Sequence, residues 1–166
     1  KTVGLCPTDI KKYVIIGAPH THWQDFFLGL AVKLTQNVPA SFIGKASLFK
    51  PPLGFILRAL GGAPIDRSKS ENKVDAIVKI FNSREQFILA LSPEGTRKRV
   101  DKWKTGFYHI AKGANVPIVM MTFDFGNKQI KLSEPFYLTD DMEADMNFIY
   151  DFYRGVKGKI PEAFNL

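Results

Sequence analysis

His20 and Asp25 stand in the stretch GAPHTHWQDFF, Gly17 to Phe27, between an apolar run and an amphipathic one. A histidine beside a carboxylate is the minimum equipment for general-base chemistry: the carboxylate accepts from one ring nitrogen and leaves the other with its lone pair. On a continuous helix, positions five apart are turned by about 140°, so the two side chains meet only if the chain bends between them. A strand ending near Ala18 and a helix opening after Thr21 supply that bend. They also put Asp25 in the first helical turn, where the helix dipole favours a carboxylate. No GxSxG elbow is present and Cys6 lies on another segment, so the pair is a base with its orienter and without the nucleophile of a triad. Two other readings share these residues: a capping aspartate with incidental histidines, and a metal site, although His20 and His22 would alternate in direction on an extended chain.

The elements that must position such a pair follow from apolar periodicity. Lys11–Ala18 reads as a buried strand, and Trp23–Leu34 as a helix with Phe26, Phe27, Leu30, Ala31 and Leu34 at helical spacing. PASFIGKA predicts a short strand, Pro52–Leu60 a short helix with proline in its first turn, and APIDR a further strand. Ser70–Ser83 predicts a helix capped by Ser70, QFILALSP a buried strand, and Gly106–Gly113 a helix closed by its glycine. VPIVMMTFDFGNKQIKLSEP reads as a hairpin turning at Gly-Asn, and Met142–Val156 as the last helix. Strands alternating with helices predict a layered α/β domain, a mixed, mostly parallel sheet flanked by helices, in one unit spanning residues 1–166.

Composition is that of a globular chain, and the lone Cys6 gives no sign of an oxidising compartment, so a reducing, cytoplasmic setting is expected. No apolar run approaches the ~18 to 20 residues that cross a bilayer. The charge is concentrated: Lys45–Lys112 carries 14 Lys and Arg against 6 Asp and Glu, whereas the remainder carries 9 against 10. Such a basic middle predicts an anionic partner or simply a well-solvated surface. A nucleic-acid-binding module is disfavoured, because no helix carries an arginine-rich face.

Three further blocks follow the His-Asp pair in order: LGGAPIDRS at Leu60–Ser68, SPEGTRKR at Ser92–Arg99 and NVPIVMM at Asn115–Met121. With His, four residues, Asp in front, the set resembles the glycerolipid acyltransferase family of the bacterial lysophosphatidic acid acyltransferase type, over about Tyr13 to Phe123. Lys45, in the connection GKASLFKPPLGFILRALG, stands where that family has its lysine. The resemblance implies that His20 takes the proton from a lysophospholipid hydroxyl as it attacks the thioester of acyl-CoA or acyl carrier protein, with Asp25 holding the imidazole. The acceptor would be 1-acyl-sn-glycerol-3-phosphate and the product phosphatidic acid, with no acyl-enzyme, no metal and no cofactor beyond the thioester co-substrate. Arg67 and Arg97 would offer planar forks to a phosphate, with Lys45 as a further cation. From the same block Thr96 is implied as substrate-binding, Glu94 as positioning a glycerol hydroxyl or bracing an arginine, and Gly95 as letting backbone amides approach the anion. The alternative is that Asp66–Arg67 and Glu94–Arg97 are ion pairs at strand ends.

The chain departs from the family at Pro19, where Asn is common, and at His22, where Ser is common. It also shows no counterpart of the family's docking helices before the strand at Lys11, so contact with the inner face of the cell membrane is expected from elsewhere on the surface. The segment SLFKPPLGFILRALG interleaves Leu48, Phe49, Leu53, Phe55, Ile56, Leu57 and Leu60 with Lys50 and Arg58, which suits a peripheral membrane contact or, equally, a core helix with its loop. Rival functions are acylation of another lysolipid, such as a lyso-aminolipid, and a non-catalytic lipid-binding member of the fold. The second of these predicts a lost base or orienter, and both residues are present.

Overall fold

The computed structural model describes residues 1–65 and 73–166. Among these residues, seven strands and five helices run in the order β1 (Thr2–Val3), β2 (Lys12–Ala18), α1 (Gln24–Thr35), β3 (Ala40–Lys45), α2 (Leu53–Ala59), β4 (Gly62–Ile65), α3 (Lys73–Ser83), β5 (Phe87–Leu91), α4 (Gly106–Ala114), β6 (Ile118–Thr122), β7 (Ile130–Lys131) and α5 (Met142–Tyr153), with 3₁₀ turns at Ala46–Phe49 and Pro161–Ala163. The expected Ser70 cap and the Asp66–Arg67 end of the APIDR strand lie outside the described residues.

Five strands form one sheet in the order β4-β3-β5-β2-β6, every neighbouring pair parallel. Strands buried on both faces must be apolar throughout, which is why Tyr13–Ile16 reads as an unbroken run. Alternation divides that run between two cores. Val14, Ile16 and Ala18 join Leu89, Ile118 and Met120 beneath α3, α4 and α5, through Phe81, Phe107, Ile110, Met146 and Tyr153. Tyr13 and Ile15 face the other way, with Ile88, Val119 and Met121 against Val32 of α1 and against Ile130 and Leu132. The α/β layering expected from the alternation of elements is therefore present.

The hairpin closes where Asp124 and Gln129 exchange both backbone hydrogen bonds, 2.9 Å each. Antiparallel bridges Ile118–Phe136, Met121–Leu132 and Asp124–Gln129 run along β6, so the sheet is parallel through its five strands and mixed at this margin. Beyond the turn, β7 pairs in parallel with β1. One expectation is corrected: Gly113 does not close α4. The helix continues to Ala114 and ends at Asn115, which takes the left-handed conformation with φ 52°. Gly113 serves a close approach instead, since a Cβ there would lie 3.0 Å from Val78 Cγ2 on α3.

Candidate active site

In a parallel sheet all carboxyl ends lie along one edge, and loops leaving that edge are where such folds bind ligands. His20 follows β2, Lys45 is the last residue of β3, and Glu94–Arg97 follow β5, which is the neighbour of β2. Arg67, two residues after the last residue of β4 in the sequence, lies outside the described residues.

The bend between β2 and α1 brings His20 Nδ1 to 3.3 Å from Asp25 Oδ2, with the histidine side chain 27% exposed and the carboxylate fully buried. The spacing is of the loose kind that catalytic pairs show before substrate closes on them. Asp25 does not cap the helix in the usual way. From the first turn it reaches back, and Oδ2 accepts from the N–H groups of Thr21 and His22 at 2.8 Å each. Oδ1 is buried with no hydrogen-bond partner among the described residues. The carboxylate is thus fixed by backbone, and its remaining pull is on the imidazole. With Nδ1 turned to Asp25, Nε2 is the nitrogen that can take a proton.

Glu94 joins this centre from the neighbouring strand. It is 1% exposed, and Oε1 accepts the His20 N–H at 2.7 Å, while Oε2 is buried without a partner among the described residues. Burial pushes its carboxyl up to about 7, against the lowering effects of the His20 N–H and ring, with the Asp25 charge adding to the rise. Its observed contact is therefore with the histidine turn, rather than with Arg97, which is exposed and makes no ion pair with it among the described residues. The alternative of a strand-end Glu94–Arg97 ion pair is not found among the described residues.

Gly95 has φ +67°, a conformation that a side chain strains, and its own N–H donates to Ser92 O at 3.2 Å. Glycine here makes the turn. Thr96 is half-buried and its Oγ1 accepts from the Lys98 N–H at 3.3 Å. His22 accepts from the Gln24 N–H at 3.4 Å and lies against the Trp23 ring, and His109 is exposed on α4.

Three further residues stand at the site without having been singled out in the sequence. Lys104 lays its side chain across Gly95, where a Cβ would meet its Nζ at 3.1 Å, and its N–H is held by Pro93 O at 2.9 Å. The Tyr153 hydroxyl reaches from α5 into the sheet, donating to Ile16 O at 2.6 Å and accepting from the Met121 N–H at 3.2 Å. Thr21, 3% exposed, lies between the base and its orienter in the chain. Lys104 sits in a loop with no periodicity, the Tyr153 hydroxyl meets Ile16 O across 137 positions and the Thr21 hydroxyl meets the Ile160 N–H across 139, so no local pattern marks these contacts.

The arrangement holds a partly exposed imidazole against a buried carboxylate, with Glu94 of the glycine turn on the His20 N–H and the Lys104 side chain laid across Gly95. It can deprotonate a hydroxyl and receive an anion. Residues 6–124 match a family model described as Acyltransferase. Curated relatives named 1-acyl-sn-glycerol-3-phosphate acyltransferase include those of Salmonella typhimurium and Escherichia coli, each 28% identical over 76% of this chain and 54% of theirs. That of Saccharomyces cerevisiae is 28% identical over 72% of this chain and 41% of its own. The chain spans about half the length of the curated relatives it matches, and no solved structure matches it significantly. With the matched span running from Cys6 to Asp124, across β2, the His20–Asp25 bend, Glu94–Arg97 and β6, the chain belongs to the acyltransferase family.

Proposed function

We propose that the protein transfers a fatty acyl group from an acyl thioester to the free hydroxyl of 1-acyl-sn-glycerol-3-phosphate, giving phosphatidic acid. The observation that carries this reading is the His20–Asp25 contact, with the carboxylate buried and the imidazole accessible. The acceptor oxygen adds to the thioester carbonyl carbon as His20 Nε2 takes its proton. The tetrahedral adduct expels the thiolate, which recovers that proton from the imidazolium and leaves as free thiol. A C–O ester bond replaces the C–S bond, Asp25 stays ionised, and neither an acyl-enzyme nor a cofactor is required. The names of the relatives support the phosphate-bearing acceptor. Purified protein offered acyl-CoA and acyl carrier protein donors with a panel of lysolipids should favour the phosphate-bearing one; preference for a lyso-aminolipid would replace this acceptor.

The phosphate is received by cations: Arg97 and Lys104 on the loop after β5, Lys45 at the end of β3, and Arg67 of the LGGAPIDRS block. A charge-assisted contact contributes about 1.5 to 3 kcal/mol. Arg97→Ala and Arg67→Ala should each raise KM for a phosphate-bearing acceptor by about 10- to 100-fold, with little change for the thioester. Equal losses on charged and uncharged lysolipids would make these arginines structural.

The protein meets its lipid at an anionic membrane surface, peripherally, and the reading places that surface at the inner face of the cell membrane. No helix of the described residues is long and apolar enough to cross a bilayer. Within Ser47–Leu60, Phe49 and Leu57 are buried, whereas Leu48, Leu53, Ile56 and above all Phe55, at 81%, are exposed, which supports a surface contact. Trp23, at the start of α1, and Phe27 on it are also exposed and lie edge to face with each other. From Phe26 to Ile65 the sequence has no acidic residue, and Lys50 and Arg58 lie among the apolar groups. Each such cation contributes on the order of 1 kcal/mol near an anionic surface. The protein should sediment with anionic but not zwitterionic vesicles at low salt and be released as salt rises. Lys50→Glu with Arg58→Glu should weaken adsorption while sparing activity on monomeric substrate. Indifference to anionic vesicles at low salt would remove this contact.

A further inference from the structure

The chain beyond the matched span returns to the site. After α5, Lys157 O accepts the Phe125 N–H at 2.8 Å, and the Lys159 ammonium lies 5.4 Å from the Phe125 ring centre. The segment then crosses the His20 turn. The Ile160 N–H donates to Thr21 Oγ1 at 3.2 Å, and buried Gly158 lies so close that a Cβ there would come within 2.8 Å of Thr21 Oγ1 and 3.1 Å of Pro19 Cβ. Beyond it, Arg99 Nη1 reaches Glu162 O at 3.5 Å, and Phe164 buries itself against Trp103, 6.4 Å between ring centres, on the loop that follows Glu94.

We propose that residues 157–164 form a strap that positions the base and its orienter, acting through Thr21. This residue is tied on both sides: its N–H is bound to Asp25 Oδ2 and its hydroxyl receives the strap. The carboxylate that orients His20 is itself held by the Thr21 and His22 N–H groups, so the strap sets where that carboxylate lies. The backbone of Gly158 is not left-handed, and the glycine is there for the close approach. The part of the proposal that concerns transfer rests on His20 being the general base.

Gly158→Ala inserts a methyl group between strap and turn without straining the backbone. It should lower kcat about tenfold at unchanged KM for both substrates, because small displacements of reacting groups cost rate rather than affinity. Thr21→Val, which keeps the shape and loses the acceptor, should do the same, and Thr21→Ser should restore the rate. Hydrogen exchange of the Thr21 and His22 amides should quicken in Gly158→Ala and Thr21→Val at equal melting temperature. That readout is independent of transfer, so a wild-type protein that fails to transfer, or a His20→Ala variant that still does, would defeat the general-base reading while exchange still judged the strap. Wild-type exchange and wild-type kcat in both variants would overturn the strap, as would losses that track only the folded fraction.

Discussion

His20→Ala is expected to lose transfer by about 10²- to 10⁴-fold while remaining folded, the range that general-base catalysis contributes. The His20 backbone N–H keeps its bond to Glu94 Oε1 in the variant, so the turn keeps its anchor when the ring is removed. Asp25→Asn should fall nearly as far. Asp25 Oδ2 alone takes the two backbone N–H groups and faces His20 Nδ1, whereas Oδ1 has no partner among the described residues. An amide can therefore keep its oxygen on the backbone and place its NH₂ where Oδ1 was. What it loses is the charge that stabilises the imidazolium. Asp25→Ala differs in kind, since it leaves two backbone N–H groups without their acceptor at about 1 to 3 kcal/mol each and should lower stability as well. Most activity retained in His20→Ala would end the general-base account.

Glu94 gives the second large effect, in stability and rate together. Its carboxyl titrates at about 7 in the folded protein against 4.5 ordinarily, so the folded state binds the proton more tightly than the unfolded one. Below about pH 4.5 both states are protonated and the burial costs nothing extra. Stability is lost as pH rises from there to 7, and above 7 the full penalty, of the order of 3 kcal/mol, is present. Glu94→Gln should therefore gain stability over the wild type at pH 8 relative to pH 4.5. Its unpaired NH₂ weighs equally at both pH values and cancels from that comparison. Denaturant titrations at the two pH values read the difference, and an unchanged gap would show that Glu94 is not held neutral by burial. The amide oxygen of Glu94→Gln still accepts the His20 N–H, so transfer should survive in large part. Glu94→Ala leaves that N–H without its acceptor, frees the turn, and should lower kcat by about 10²-fold.

The His20–Asp25 contact was legible because it is local: a strand and a helix five residues apart can meet only through one kind of bend. The mostly parallel sheet was legible in the alternation of elements, and a parallel sheet has one carboxyl edge, the edge along which the structure sets Lys45 and Glu94–Arg97. The partner of Glu94 was not. Its acceptor contact spans seventy-four positions, and nothing in SPEGTR distinguishes a carboxylate facing substrate from one facing another loop. The helix end at Asn115 was misread because glycine is used both to stop helices and to let them approach, and Gly113 does the second. The two-residue strands β1 and β7 are too short to carry a period, and the tail after α5 is held by scattered contacts with Phe125, Thr21, Arg99 and Trp103.

The central claim is that the accessible imidazole of His20 moves an acyl group from sulfur to a lysophospholipid hydroxyl. The most direct measurement incubates the purified protein with an acyl thioester and 1-acyl-sn-glycerol-3-phosphate, and counts the thiol and phosphatidic acid formed beside His20→Ala. The account predicts one phosphatidic acid per thiol released by the wild type, and neither from the variant above background. Thiol released with free fatty acid and no phosphatidic acid, or equal product from the two proteins, would contradict it.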